Sequence, residues 1–82
     1  METEKIYSTK DFYLSALLLS YDFRFLDSEK KNEGVYFNFY NDNDELLQKL
    51  LSDFVNYKAM VHMRKFTSAM SKLRKELDKY KK

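Results

Sequence analysis

The chain has 82 residues, of which 44% are hydrophobic, 17% aromatic and 34% charged, and its net charge is +2. This length and composition predict one small soluble domain over residues 1–82 and exclude a disordered chain. The absence of cysteine excludes disulfides, the single glycine excludes glycine-rich phosphate loops, and the short apolar runs exclude a membrane-spanning helix.

The first two predicted elements are a short strand and a buried helix. The strand is expected over residues 4–8 (EKIYS) and the helix over residues 10–21 (KDFYLSALLLSY). Ser8 or Thr9 is expected to cap the helix, with Asp11 in its first turn. Because apolar residues cover most of its circumference, we expect the helix to be buried on more than one face.

A β-hairpin is predicted to follow. Asp22 is expected to end the first helix in the left-handed conformation, because glycine is missing there. The second strand is predicted over residues 23–27, and a polar turn over residues 28–34, in which Gly34 needs a positive φ. The third strand, residues 35–40, alternates between core and solvent-facing positions.

Two further helices complete the prediction. Asp42 and Glu45 form a capping-box pattern before an amphipathic helix that ends near residue 55. Residues 56–61 (NYKAMV) are expected to form a short extended link, and residues 63–80 a basic last helix. The predicted fold is α+β, in the order β-α-β-β-α-α, with the helices packed on one face of a small antiparallel sheet. The expected core contains Leu17, Leu18, Phe37, Phe39, Leu47, Leu50, Leu51 and Phe54.

Three stretches carry a family resemblance: STKDFYLSALLLSYDFRFLD, the hairpin ending in YFNFYND, and FTSAMSKL. Together they resemble a family of small uncharacterised domains encoded by phages, plasmids and related mobile elements. That family usually has a glycine where this sequence has Asp22, and often a second one where it has Asn56 and Tyr57. The resemblance implies a genomic setting rather than a mechanism, because it brings no established activity.

Residues for catalysis or metal binding are scarce. His62 is the one histidine, and its nearest acid, Asp53, is not at helical ligand spacing, so a structural role is favoured over a metal site. A serine nucleophile would need the same histidine as its base. Residues 41–44 (NDND) resemble the start of a calcium loop but lack its glycine and its last glutamate, so we interpret their acids as helix-capping residues. We therefore predict a non-enzyme with no cofactor and no metal.

Charge is distributed unevenly along the chain. Residues 64–82 contain eight of the 15 basic residues and two of the 13 acidic ones. A helical wheel brings six of these cations onto one face: Arg64, Lys65, Lys72, Lys75, Lys79 and Lys82, with Arg74 and Lys81 beside them. This face is predicted to contact nucleic-acid phosphates, but a simply solvated face is an equal alternative. Membrane binding ranks third, because the core needs the apolar stripe.

Two tyrosines on the third strand are further candidates. Alternation directs Val35, Phe37 and Phe39 to the core, and it directs Tyr36 and Tyr40 to the opposite side. These rings are expected either to stack on bases or to pack in a homodimer, and packing is slightly favoured.

Two functions remain open from the sequence. The first is a non-enzymatic nucleic-acid-binding accessory protein of a phage or mobile element, acting through the basic helix. The alternative is a phage-encoded inhibitor of a host defence system, of the anti-CRISPR type, which would bind a host protein. We expect a cytoplasmic location for either, because METEKIYS is unlike a signal peptide.

Overall fold

The structure is a computed structural model that describes residues 5–81. It has the predicted α+β fold and the predicted order of elements. Glu4, which the sequence places in the first strand, lies outside the described residues. The elements are β1 (Ile6–Thr9), α1 (Phe12–Ser20), β2 (Phe25–Lys31), β3 (Gly34–Tyr40), α2 (Asp44–Val55) and α3 (Met63–Asp78).

The three strands form an antiparallel sheet in the order β1-β3-β2. Phe39 at the centre is opposite Tyr7 of β1 and Phe25 of β2. One face of β3 carries Phe37 and Phe39, which are buried in a single hydrophobic cluster with residues of all three helices. The helices therefore lie on one face of the sheet, as expected, and the other face is left without a helix.

The hairpin differs from its prediction. Strand β2 runs to Lys31, and its turn is reduced to residues 32–33, whereas the sequence suggested a turn over residues 28–34. The polar residues after Asp27 belong to an edge strand whose backbone forms hydrogen bonds with β3. Because edge strands carry polar residues, their composition resembles that of a turn. Gly34 has a φ of +141°, which confirms the expected positive value.

Both predicted helix caps are wrong by a residue or more. The carboxylate of Asp11 caps α1 by accepting a hydrogen bond from Leu14 N–H at 2.9 Å, because the residues before it are still in or beside β1. Asn43 caps α2 and accepts from Leu46 N–H at 3.1 Å. Asp42 lies one residue too early, and its carboxylate binds Arg24 instead.

Helices α1 and α2 end in the same left-handed capping motif. Asp22 has a φ of 66°, as predicted, and Tyr57 has a φ of 60° at the corresponding position after α2. In each case the next N–H returns to the carbonyl five residues earlier, which defines a Schellman motif. These hydrogen bonds are Phe23 N–H to Leu18 O at 3.1 Å and Lys58 N–H to Asp53 O at 2.7 Å.

Helix α1 forms the centre of the molecule. Six of its nine residues are buried, which confirms that it is enclosed on more than one face. The predicted core is confirmed except at its edge, where Leu51 and Phe54 are only partly buried. None of the helices within residues 5–81 is long and apolar enough to cross a membrane.

Candidate nucleic-acid interface

Helix α3 is held in place by its apolar stripe. Ala69 and Leu73 are buried against the rest of the core, and Phe66 and Leu77 pack beside them. The helix begins after His62, whose Nδ1 accepts from Lys65 N–H at 3.5 Å, so the one histidine caps a helix. This anchoring fixes the opposite face of α3 toward solvent.

The solvent-facing side of α3 is a sector of about 120° on a helical wheel without an acidic residue. We call this sector the basic face. Its members within residues 5–81 are exposed, and Ser68 and Ser71 lie among the cations. Lys82 lies outside the described residues, so the described cations of the basic face are Arg64, Lys65, Lys72, Lys75 and Lys79.

Two of these cations are near acids. Lys79 Nζ lies 2.9 Å from Glu76, and Lys65 Nζ lies 4.0 Å from Asp22. The hydrogen bond to Glu76 raises the pKa of Lys79. Within residues 5–81, the remaining cations of the basic face, Arg64, Lys72 and Lys75, have no acidic partner within 4 Å.

Arg74 and Lys81, predicted beside the basic face, lie away from it. The guanidinium of Arg74 is 5.8 Å from the ring centre of Phe12, on the flank of α3 that faces the start of α1. Lys81 follows the helix and lies 3.5 Å from Asp78. The structure therefore separates Arg74 from the other candidate residues.

A polar cluster fastens the end of α3 to β2. The hydroxyl of Ser28 donates to Glu76, and the hydroxyl of Tyr80 lies 2.8 Å from the same serine oxygen. The hydrogen bond from Ser28, and after it the one from Lys79, hold the pKa of Glu76 below its ordinary value, although partial burial opposes them. Lys79 thus has a structural partner, which weakens it as a phosphate ligand.

A groove runs beside the basic face, between α3 and the corner where α1 leads into β2. Among the described residues it consists of three adjoining depressions, of about 350, 390 and 460 Å³. Leu19 and Ala69 form part of its apolar lining, and Lys65 and Lys72 line its α3 side. The exposed carboxylate of Asp22 lines all three depressions on the opposite side.

Tyr36 and Tyr40 lie on the face of the sheet that has no helix. Lys31 Nζ is 4.8 Å from the ring centre of Tyr36, and the Arg24 guanidinium is 4.3 Å from that of Tyr40. Both rings are half-buried. Because α3 packs on the other face, the structure does not bring these tyrosines together with the basic face.

Polar residues occupy the centre of this open sheet face. Asn38 is buried; it accepts from the Ser8 hydroxyl and donates to Asp27 at 2.7 Å, which links all three strands. A central polar cluster contrasts with the apolar centre that is typical of homodimer interfaces. The sequence showed the alternation but not the register that joins these three side chains.

An apolar surface on the link between α2 and α3 was not predicted from the sequence. Tyr57 is 97% exposed and Met60 79%. The segment has no helical or strand periodicity, and Tyr57 and Met60, with Met63 at the start of α3, were the available signal. We call this the link surface, formed by Val55, Tyr57, Met60, Val61 and Met63.

The described residues form no cluster of candidate metal ligands. No group of three or more His, Cys, Asp or Glu side chains within residues 5–81 could hold a metal ion. The acid that suggested a calcium loop, Asp42, accepts two hydrogen bonds from Arg24, at 2.8 and 3.0 Å. These bonds hold the pKa of Asp42 below its ordinary value.

Comparison with known proteins identifies the family. Residues 4–80 match the model of a domain of unknown function, DUF5659. The chain belongs to the DUF5659 family. No protein of curated function and no solved structure gives a significant match. The family carries no assigned activity and gives no indication of a phage or mobile-element origin, so the function has to be argued from the structure.

Proposed function

We propose that the protein is a small, non-enzymatic nucleic-acid-binding protein that contacts phosphates through the basic face of α3. The observation that supports this most strongly is an exposed sector without acids, in which Arg64, Lys72 and Lys75 have no acidic partner in the part of the chain that the structure describes. Phosphate oxygens are the ligands that such cations suit.

The spacing of the cations favours an extended polyanion. Arg64 and Lys75 are 11 residues apart on the helix, which corresponds to about 16 Å along its axis. The rigid core under α3 keeps this row in place before binding. Successive phosphates can therefore be contacted along the row, and the released counterions provide a binding free energy that is largely independent of sequence.

Helix α2 shows how a simply solvated face is built in the same molecule. There Lys49 Nζ lies 2.9 Å from Asp53, one helical turn away. On the basic face of α3, Arg64, Lys72 and Lys75 have no such pairing with any acid of residues 5–81. This difference favours phosphate binding over the solvated alternative, because unpaired like charges on one face repel each other.

Fluorescence anisotropy with a labelled 20-nucleotide oligomer at low salt tests the proposal. We expect the wild type to bind at micromolar concentration and the double variant Lys72→Gln, Lys75→Gln to bind about tenfold or more weakly, with an unchanged fold. Lys49→Gln on α2 is the matched control and should bind as the wild type does. Absence of binding by the wild type would refute the proposal.

Protein binding through the link surface is a second candidate. The exposure of Tyr57, Met60 and Met63 within one short segment favours it, because Tyr and Met are enriched at protein interfaces. Lys58 and Arg64 beside these residues suggest an acidic partner. Inhibition of a host defence protein would be one form of this function.

The double variant Tyr57→Ser, Met60→Ser tests this candidate. A partner should co-purify with the wild type and with Lys49→Gln, but not with the double variant. Its direct binding should then be reproduced by calorimetry with both purified proteins. If the partner bound the double variant equally well, the link surface would be excluded.

A further inference from the structure

We infer that the basic face selects single-stranded over double-stranded nucleic acid, because the groove beside it receives unpaired bases. This inference rests on the proposed function and specifies its substrate. It follows from the position of the groove, the chemistry of its lining and the charges along its α3 side.

The groove is continuous along α3. The first depression lies next to Met60 and Val61, and it shares His62 and Lys65 with the second. The third adjoins the second at Lys72. From His62 to Glu76 the helix rises about 21 Å, which gives the length of the groove. The exposed ion pair between Lys65 and Asp22, with its atoms 4.0 Å apart, spans the groove and has to open for a strand to enter. An extended strand can then follow the path without bending.

The lining of the groove suits the faces of bases. Its third depression, of about 460 Å³, is lined by Phe23, Phe25 and Leu73. Phe25 is half-buried and packs edge-on against Phe39 at a ring-centre distance of 5.5 Å, so its position is fixed. Apolar and aromatic contacts accept any base, which fits binding without sequence preference.

The charges of the first two depressions place the backbone at their α3 side, whereas the lining of the third also includes Glu76 on that side and Arg24 on the opposite side. Lys72 lines both the second and the third depression, and Lys65 both the first and the second. A strand with its phosphates on these lysines would turn its bases toward the apolar lining. Asp22 on the opposite side repels phosphate, which supports this orientation and gives amino groups of bases an acceptor.

A duplex cannot use the groove in this way. Its bases are stacked and paired inside the helix, so only its phosphates could meet the basic face. The groove would then stay unfilled, and the duplex would gain only the electrostatic part of the binding free energy. A protein with the basic face alone would show no preference for single strands.

Paired titrations test the inference. A labelled (dT)20 strand and a 20-base-pair duplex are titrated by fluorescence anisotropy in the same buffer. We expect the single strand to bind at least about tenfold more tightly, which corresponds to the contribution of one or two stacked bases. Equal or tighter binding of the duplex would overturn the inference and leave the proposed function intact. Absence of binding to either would reject both.

A variant that fills the groove provides the second test. Ser68 lines the second depression, whereas Ser71, one turn along the same exposed face, lines none of the three. Ser68→Leu should weaken (dT)20 binding severalfold without changing duplex binding, and Ser71→Leu should change neither. Equal effects of the two substitutions on the single strand would contradict a role for the groove. A short nucleotide that binds as well as (dT)20 would likewise contradict an extended strand as the ligand.

Discussion

Replacing Tyr57 by glycine should stabilise the protein. Tyr57 has a φ of 60° and a side chain that is 97% exposed, so it has backbone strain and almost no burial to lose. A left-handed conformation costs an ordinary L-residue about 1–2 kcal/mol. Glycine avoids this cost, but its greater conformational entropy stabilises the unfolded chain by about 0.4–1 kcal/mol. The net stabilisation should be about 1 kcal/mol, or about 4–8 °C in Tm for a domain of this size.

Thermal and urea unfolding followed by circular dichroism measure this effect. Tyr57→Ala keeps the strain and loses little contact, so it should unfold close to the wild type. Asp22→Gly should gain less than Tyr57→Gly, because aspartate tolerates the left-handed region better than tyrosine. The reasoning would be refuted if Tyr57→Gly were no more stable than Tyr57→Ala.

Leu50→Ala should cost about 2–5 kcal/mol in urea unfolding because Leu50 is buried in the core, whereas Val55→Ala on the exposed face of the same helix should cost less than about 0.5 kcal/mol. Equal costs of the two substitutions would contradict an orientation of α2 that buries Leu50 and exposes Val55. Glu76 has a folded-state pKa below its ordinary value of 4.5, so its contribution to stability should be complete above that pH and lost as the pH falls through the folded-state pKa. Unfolding of the wild type and Glu76→Gln across pH should therefore show a difference that is largest near neutrality, and a constant difference would contradict the role of the carboxylate.

Much of the fold could be predicted because the local periodicity of apolar residues determines it. The alternation in residues 34–40 identified the inner side of β3, and the spacing of Leu47 and Leu50 identified the buried side of α2. The exact ends of the helices and strands were harder to predict from the sequence. Asp, Asn, Ser and Thr cap helices about equally well, so only the backbone shows that Asp11 and Asn43 are the caps. The length of β2 was underestimated because the second half of this edge strand is polar.

The candidate site was predictable only in part, for the same reason. A wheel of 100° per residue places the cations of α3 together without knowledge of the tertiary structure. Which of them have acidic partners depends on contacts across the chain, such as Lys65 with Asp22. The groove depends on how closely α3 approaches the α1–β2 corner, and no local pattern encodes that distance. The separation of Tyr36 and Tyr40 from the basic face likewise needs the packing of α3 on the sheet.

The salt dependence of binding is the most decisive measurement of phosphate contact by the basic face. For a single strand, log K should fall with log salt by about 0.7 for each phosphate contact, so the three cations without acidic partners predict a slope of about −2. The variant Lys72→Gln, Lys75→Gln should lower the magnitude of that slope by about 1.4, while Lys49→Gln should leave it unchanged. A slope that is the same in the wild type and the double variant would contradict phosphate binding by the basic face.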